Sequence, residues 1–294
     1  MEKRVTFRGF TLPLLLVLPQ VLVSGVFFFY PAGQAIWQSF FIPDPFGLSS
    51  QYVGLGNFEF LLSDEYYRAS FVTTAVFSIL VTLVCMLPAL LLALLADRLI
   101  KGAGAYRSTM LIWPYAVAPA VAGVLWLFMF NTRVGVVSWY LGQLGYDWNH
   151  VLNDNEAMGL VVVASAWGRI SYNFLFFFAA LQAVPKSVVE AAAIDGARFW
   201  QRTFSIVLPL ISPTMFFLLV VNVVYSFFET FGVIHTITSG GPQQATTILV
   251  YKVFADGFIG QDLGSSAAQS VILLFVVGAL TVIQFKFVEK RVHY

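Results

Sequence analysis

Two short stripes of polar side chains fall inside otherwise apolar stretches. Ser165, Arg169 and Tyr172 or Asn173 recur at i, i+4 and i+7 or i+8. Asn222, Tyr225 and Glu229 recur at i, i+3 and i+7. On helices each set shares one face, and two such faces turned toward each other would line a polar cavity. A lone arginine near the middle of a membrane helix costs at least about 2.5–3.5 kcal/mol on insertion scales, so Arg169 is a functional candidate by default. Its planar fork of donors suits a phosphate or carboxylate. Two readings of Arg169 stay open: recognition of an anion, or a structural pairing with Glu229 or with helix carbonyls. Trp167, Phe176, Phe177 and Phe178 read as bulk facing lipid or core.

A third candidate lies between these stripes. Residues Glu190-Ala191-Ala192-Ala193-Ile194-Asp195 read as a short alanine-rich helix that Gly196 ends or bends. A second short helical stretch then leads into the next apolar run, with Pro209 near its entry. Small side chains on a surface helix admit a partner's groove; a plain interfacial connector fits the same residues. Elsewhere the chemistry is missing. There is no G-x-x-x-x-G-K-[ST] to cradle a nucleotide, no H-E-x-x-H and no G-x-S-x-G, and the three histidines are scattered. The single cysteine, Cys85, excludes an internal disulfide and a cysteine metal cluster. No catalytic residue and no metal ligand set is expected, and an enzyme is disfavoured.

The elements that must position these residues follow from composition. Of 294 residues 59% are apolar and only 11% charged, with 30 Phe against 16 Lys and Arg. A soluble domain carries about 25% charged residues. A net charge of +1 leaves no basic surplus for nucleic acid. A bilayer core needs about 20 apolar helical residues to cross. Six runs qualify: 10–30, 71–96, 110–130, 158–181, 206–228 and 267–288. The reading is an all-α, multi-pass membrane protein forming a single transmembrane domain over 1–294. The first run is taken as a retained helix, being longer than a signal core. Prolines 13, 19, 88, 114 and 119 should kink their helices.

Basic residues orient the chain. With the N-terminus inside, twelve lie on the cytoplasmic side, among them Lys3, Arg98, Lys186, Arg202 and Lys290, and three (Arg68, Arg133, Lys252) outside. Both termini are therefore expected in the cytoplasm, and the segment 182–205 with them. The outer connections are long and rich in turn residues, including Gly54 and Gly56 beside Asn57 and Ser239-Gly240-Gly241-Pro242-Gln243. These read as ordered loops.

The segment around Gly196 also resembles a known family. Glu190, Ala191, Ala192, Gly196, Ile206, Leu208 and Pro209 meet the marker spacing of the EAA loop in permease subunits of bacterial ATP-binding-cassette importers. The segments 53–58 and 239–242, with Thr246 and Thr247, resemble outer-loop signatures of the carbohydrate-uptake branch. The wording of 115–120, 146–150 and 170–175 is similar to permeases of glycerol-3-phosphate importers. The resemblance implies a type I permease fold in the inner membrane and translocation of sn-glycerol-3-phosphate and its diesters. A neutral sugar or oligosaccharide is the rival substrate, and an ion-coupled secondary transporter the rival class. It further implies a second homologous permease, two copies of a cytoplasmic ATPase and a periplasmic binding protein as partners. ATP and magnesium would be used by the ATPase, with no cofactor on this chain. Glu190, Ala191, Ala192, Asp195 and Gly196 would couple to the ATPase. Asn57, Gly240, Gly241, Pro242 and Gln243 would meet the binding protein.

Overall fold

The computed structural model describes residues 10–44, 49–99 and 111–288. Expectations resting on Lys3, Arg4, Arg8, Lys101, Arg107, Lys290 and Arg291 lie outside those residues. The chain divides into two compact units.

The first unit comprises Met1–Asp64 and Val253–Ile272. Its long apolar helix α1 spans Thr11–Gln38 and buries none of its residues within the unit. A small antiparallel hairpin follows, pairing β1 (Phe41–Pro43) with β2 (Ser50–Tyr52), Ile42 opposite Gln51. Helix α2 (Gly56–Ser63) closes the segment. Asn57 holds this corner together. It is only 6% exposed, and its amide nitrogen donates to the carbonyls of Ser39 at 2.8 Å and Phe41 at 3.0 Å.

The second unit comprises Glu65–Lys252 and Leu273–Tyr294. Its two main helices are α3 (Glu65–Leu99) and α6 (Asp154–Ala183). Ala89, Ala93 and Ala96 present small side chains at helical spacing, and Phe174, Phe177 and Leu181 pack with them in one buried cluster. With lipid on both sides of the comparison, close packing over small residues replaces the hydrophobic drive as the reason helices associate. Between them, among the described residues, lie a 3₁₀ turn, Trp113–Ala116, then α4 (Pro119–Met129) and α5 (Val136–Gln143). Beyond α6 come α7 (Lys186–Ile194), α8 (Phe199–Leu210), α9 (Ser212–Phe228), α10 (Phe231–Ile237) and α11 (Leu249–Phe254). The last helix, α12 (Leu263–Ile283), starts among the residues of the first unit and ends among those of the second.

Among the described residues four helices are long and apolar enough to cross a membrane: Thr11–Gln38, Glu65–Asp97, Asp154–Ala183 and Leu263–Lys286. The pair α8 and α9 makes a fifth crossing only if its 69° bend is counted within one span. The expected third run, 110–130, is not one helix. Pro114 sits in the 3₁₀ turn and Pro119 opens α4, leaving an apolar helix of 11 residues. Two prolines five residues apart each remove an N–H, so the chain breaks there rather than kinks. The helices also run past the apolar runs. Glu65, Arg68, Asp154 and Glu156 are charged yet helical, because a first turn tolerates charge and an acid there faces the positive helix end.

Candidate functional site

The cavity that gathers the polar stripes has a volume of about 300 Å³ and lies within the second unit. The turn at Pro114 and Tyr115, the start of α4, the middle of α6 and the end of α9 line it. Ser165, Arg169, Tyr225 and Glu229 all contribute to its wall.

Arg169 is 8% exposed, and its charge is met by two rings instead of an acid. Its guanidinium carbon lies 4.5 Å from the ring centre of Tyr172 and 4.2 Å from that of Tyr225. Aromatic faces attract a cation while leaving its in-plane N–H donors open. Among the described residues neither Arg169 Nε nor Ser165 Oγ has a hydrogen-bond partner, and Ser165 is 2% exposed. Among the described residues no ion pair within 4.0 Å joins Arg169 to Glu229, although both line the cavity. Buried polar atoms are satisfied in the great majority of cases. Two idle groups on one cavity wall therefore point to a ligand that uses them.

The neighbouring polar residues are spent on framework. Asn173 and Asn222, both fully buried, bond each other reciprocally at 3.2 and 2.7 Å. Each also donates to a carbonyl one turn back, Asn173 to Arg169 at 2.8 Å and Asn222 to Leu218 at 2.7 Å. The pair ties α6 to α9 and does not line the cavity. Tyr225 Oη donates to the Ser165 carbonyl at 2.9 Å, which fixes the ring that covers Arg169. Ser78 and Ser226 lock α3 to α9 at 2.6 Å. Of the six residues expected along the pathway, Arg169, Tyr225 and Glu229 thus line the cavity; Tyr172 only caps Arg169. Trp167, expected as bulk, lines it as well and meets Trp113 edge-on at 5.3 Å.

The sequence reading missed Glu156. Its carboxylate accepts from Tyr146 Oη at 2.9 Å, Asn149 N at 2.5 Å and Asn153 Nδ2 at 3.2 Å. Asn153 in turn caps α6 by accepting from the N–H groups of Asn155 and Glu156. The N-x-x-E spacing was the available signal, since an acid at the third helical position reaches back to the cap. Within this loop Trp148 Nε1 donates to His150 Nδ1 at 3.3 Å. Burial pushes the His150 pKa below its usual 6.5, with the Glu156 charge pulling weakly the other way. The Tyr146 hydroxyl is pushed up chiefly by its hydrogen bond to Glu156.

At the other end of α6, helix α7 presents an exposed surface, with Glu190, Ala191 and Asp195 solvent-facing and Ile194 86% exposed. The helix ends in a two-bond turn: Ala197 N donates to Ala192 O at 3.0 Å and Gly196 N to Ala193 O at 3.1 Å. That turn needs a left-handed residue, and Gly196 has φ of +84°. The loop 239–247 is laced by threonines. Thr246 donates to Gly241 O at 2.8 Å and Thr247 to Gly240 O at 3.0 Å. Gly240 has φ of +83°, and a Cβ there would run into Thr247 and Tyr251. Gly240 is buried, whereas Gln243 and Gln244 stand exposed at the tip. Asn57, by contrast, is buried with its amide spent, so its side chain offers no contact to a delivery protein.

The family described as binding-protein-dependent transport system inner membrane component matches over residues 61–294. An sn-glycerol-3-phosphate transport system permease protein of Rhizobium meliloti is 59% identical over 292 residues, covering 99% of both chains. That of Brucella suis is 60% identical over 292 residues with the same coverage. The Yersinia enterocolitica protein is 59% identical, covering 100% of this chain and 99% of its own. Among solved structures, a bacterial ABC transporter that imports the acidic polysaccharide alginate superposes with a TM-score of 0.82. It is 19% identical and covers 95% of this chain and 96% of its own. That transporter in complex with an alginate pentasaccharide-bound periplasmic protein gives 0.82 at 20% identity, covering 97% and 96%.

Proposed function

This chain belongs to the inner-membrane components of binding-protein-dependent transport systems, and we propose that it forms the path for sn-glycerol-3-phosphate across that membrane. It is a multi-pass membrane permease with the type I importer fold, a transport component rather than an enzyme. The observation that carries the substrate reading is Arg169, a buried cation on a cavity wall with its Nε unpaired. A phosphate monoester supplies the charge and the acceptors that this donor lacks. Ser165 Oγ offers a second polar contact beside it, and the rings of Tyr225 and Trp167 give apolar faces to the carbon skeleton. Glycerophosphodiesters keep the same anionic phosphate and belong to the same substrate class. A neutral sugar would bring no counter-charge to Arg169.

A substrate-binding protein works with this chain from the outer side. Six spans, both termini in the cytoplasm, a second homologous permease and two ATPase copies complete the assembly we propose. ATP and magnesium act on those ATPase subunits, and this chain carries no cofactor. The surface of α7, from Glu190 through Ala192 to Asp195, meets an ATPase subunit, with the Gly196 turn setting its angle to α8. The exposed tip at Gln243, supported by Gly240, Gly241 and Pro242, meets the binding protein.

The test is ATP-dependent uptake of labelled glycerol-3-phosphate by proteoliposomes holding the complete complex. Uptake competed by unlabelled glycerol-3-phosphate and not by glycerol is expected. Uptake of a neutral disaccharide in its place would overturn the substrate assignment.

A further inference from the structure

The cavity beside Arg169 holds one charged group that recognition of a phosphate does not use. Among its described lining residues Glu229 is the only acid. It is not paired with Arg169, and among the described residues its carboxylate accepts no hydrogen bond. Its backbone N–H closes the last turn of α9, donating to Tyr225 O at 2.9 Å. The Tyr225 ring covers Arg169, with its centre 4.2 Å from the guanidinium carbon. Glu229 follows Tyr225 by four residues on the same helix face, about 6 Å further along the axis. The wall therefore presents a cation at the Tyr225 ring and an acid one turn beyond it.

An unpaired acid is a handicap in an anion site, because it repels the phosphate. The repulsion is offset only by a ligand that brings donors to the acid while its phosphate stays at the cation. Glycerol-3-phosphate has that form: a phosphate at one end and hydroxyls on the other two carbons. Its three-carbon length is comparable with one helical turn, about 5.4 Å. We propose that Glu229 determines specificity for the glycerol end of the substrate. Its carboxylate accepts hydrogen bonds from the vicinal hydroxyls while Arg169 holds the phosphate. Glycerophosphodiesters keep the same glycerol end and pass the same filter. Inorganic phosphate and simple alkyl phosphates meet the repulsion without the compensating bonds. This role rests on the anion reading of Arg169 and adds what separates one phosphate monoester from another.

The test uses the purified complex without its binding protein, so that selection by that protein does not enter. Apparent affinities are read from ligand-dependent rises in melting temperature, titrated into the millimolar range. The ligands are glycerol-3-phosphate and n-propyl phosphate, which has the same phosphate and three carbons but no hydroxyl. Glycerol-3-phosphate should bind the unmodified complex roughly 10- to 150-fold more tightly, as a hydrogen bond to a charged acceptor gives. Glu229→Leu should bring glycerol-3-phosphate to the affinity of n-propyl phosphate and leave n-propyl phosphate no weaker. Glu229 is exposed, so the exchange should spare folding, and retained n-propyl phosphate binding shows that the cavity is intact. Arg169→Gln should weaken both phosphates alike. A preference that survives in Glu229→Leu, or no preference in the unmodified complex, would overturn the role of Glu229 and leave the phosphate site standing. Undiminished binding of both phosphates in Arg169→Gln would instead overturn the anion reading beneath it, and no shift with either phosphate would overturn both.

Discussion

Replacing Arg169 by glutamine removes the cation and keeps an amide of similar reach, and the structure sets the size of two opposed effects. The side chain loses two cation–π contacts, at 4.5 and 4.2 Å, worth about 0.5–2 kcal/mol each. The protein is also relieved of an unpaired charge that costs about 2.5–3.5 kcal/mol at the membrane centre. These offset, so the amount of assembled complex should hardly change. Nothing offsets the loss of the charge-assisted hydrogen bond to a phosphate, about 1.5–3 kcal/mol. At about 1.4 kcal/mol per tenfold, the concentration of glycerol-3-phosphate giving half-maximal uptake should rise roughly 10- to 150-fold. Arg169→Lys keeps the charge without the fork and should fall between. The assay is uptake by proteoliposomes as a function of substrate concentration, normalised to assembled complex. Unchanged concentration dependence in Arg169→Gln would refute anion recognition. Because no ion pair joins the two residues, Arg169→Gln Glu229→Gln should transport as poorly as the single variant. Recovery in the double variant would show that a pair with Glu229 governs the site.

Four further outcomes follow from other parts of the chain. Gly196→Val should weaken substrate-stimulated ATP hydrolysis in the complex, because a left-handed φ costs an L-residue about 1–2 kcal/mol, and Gly196→Asn should be milder. Membrane insertion of both, read by yield, should stay normal; unchanged hydrolysis in Gly196→Val would remove the turn from coupling. Asn173→Leu should destabilise the protein by about 1–3 kcal/mol by orphaning Asn222, and Asn173→Leu Asn222→Leu should recover part of the lost melting temperature. The His150 pKa is lower folded than unfolded, so its contribution is present above pH 6.5 and is lost as pH falls through the folded value; amide protection factors across 146–153, corrected for intrinsic exchange, should fall below that pH, and a flat profile would contradict the Trp148 bond. A photocrosslinker at Gln243 should capture the binding protein while one at Asn57 should not, and the reverse pattern would overturn the assignment of the outer tip.

Local periodicity made much of the site legible. Arg169 and Tyr225 were found because the 3.6-residue repeat is written in neighbouring positions, and Gly196 because a helix stop needs a particular residue. What each polar group does was not legible. Asn173 and Asn222 look like pathway residues until two helices 49 positions apart are brought into register, where their amides consume each other. Asn57 belongs with them, since its partners are backbone carbonyls at Ser39 and Phe41 that no pattern advertises. Pro114 and Pro119 alone read as kinks, but whether proline bends or ends a helix depends on what receives the freed carbonyls.

The division between spent and unspent polar groups makes physical sense for an importer. A carboxylate paired with Arg169 would have to be parted from it each time an anion bound, and breaking a buried pair costs about 3–5 kcal/mol. Tyr172 and Tyr225 steady the guanidinium through its faces and leave its donors in the plane. The Tyr225 ring and the backbone beneath Arg169 are held by a separate set of hydrogen bonds. Asn173 donates to the Arg169 carbonyl, Asn222 holds Asn173, and the Tyr225 hydroxyl is tied to Ser165 O. The framework bonds are internally complete, so binding and release of an anion need not disturb them. Among the described residues, Arg169 Nε and Ser165 Oγ are buried without a partner on residues of the cavity wall, and a transported ligand that answers them breaks no bond that holds α6 to α9.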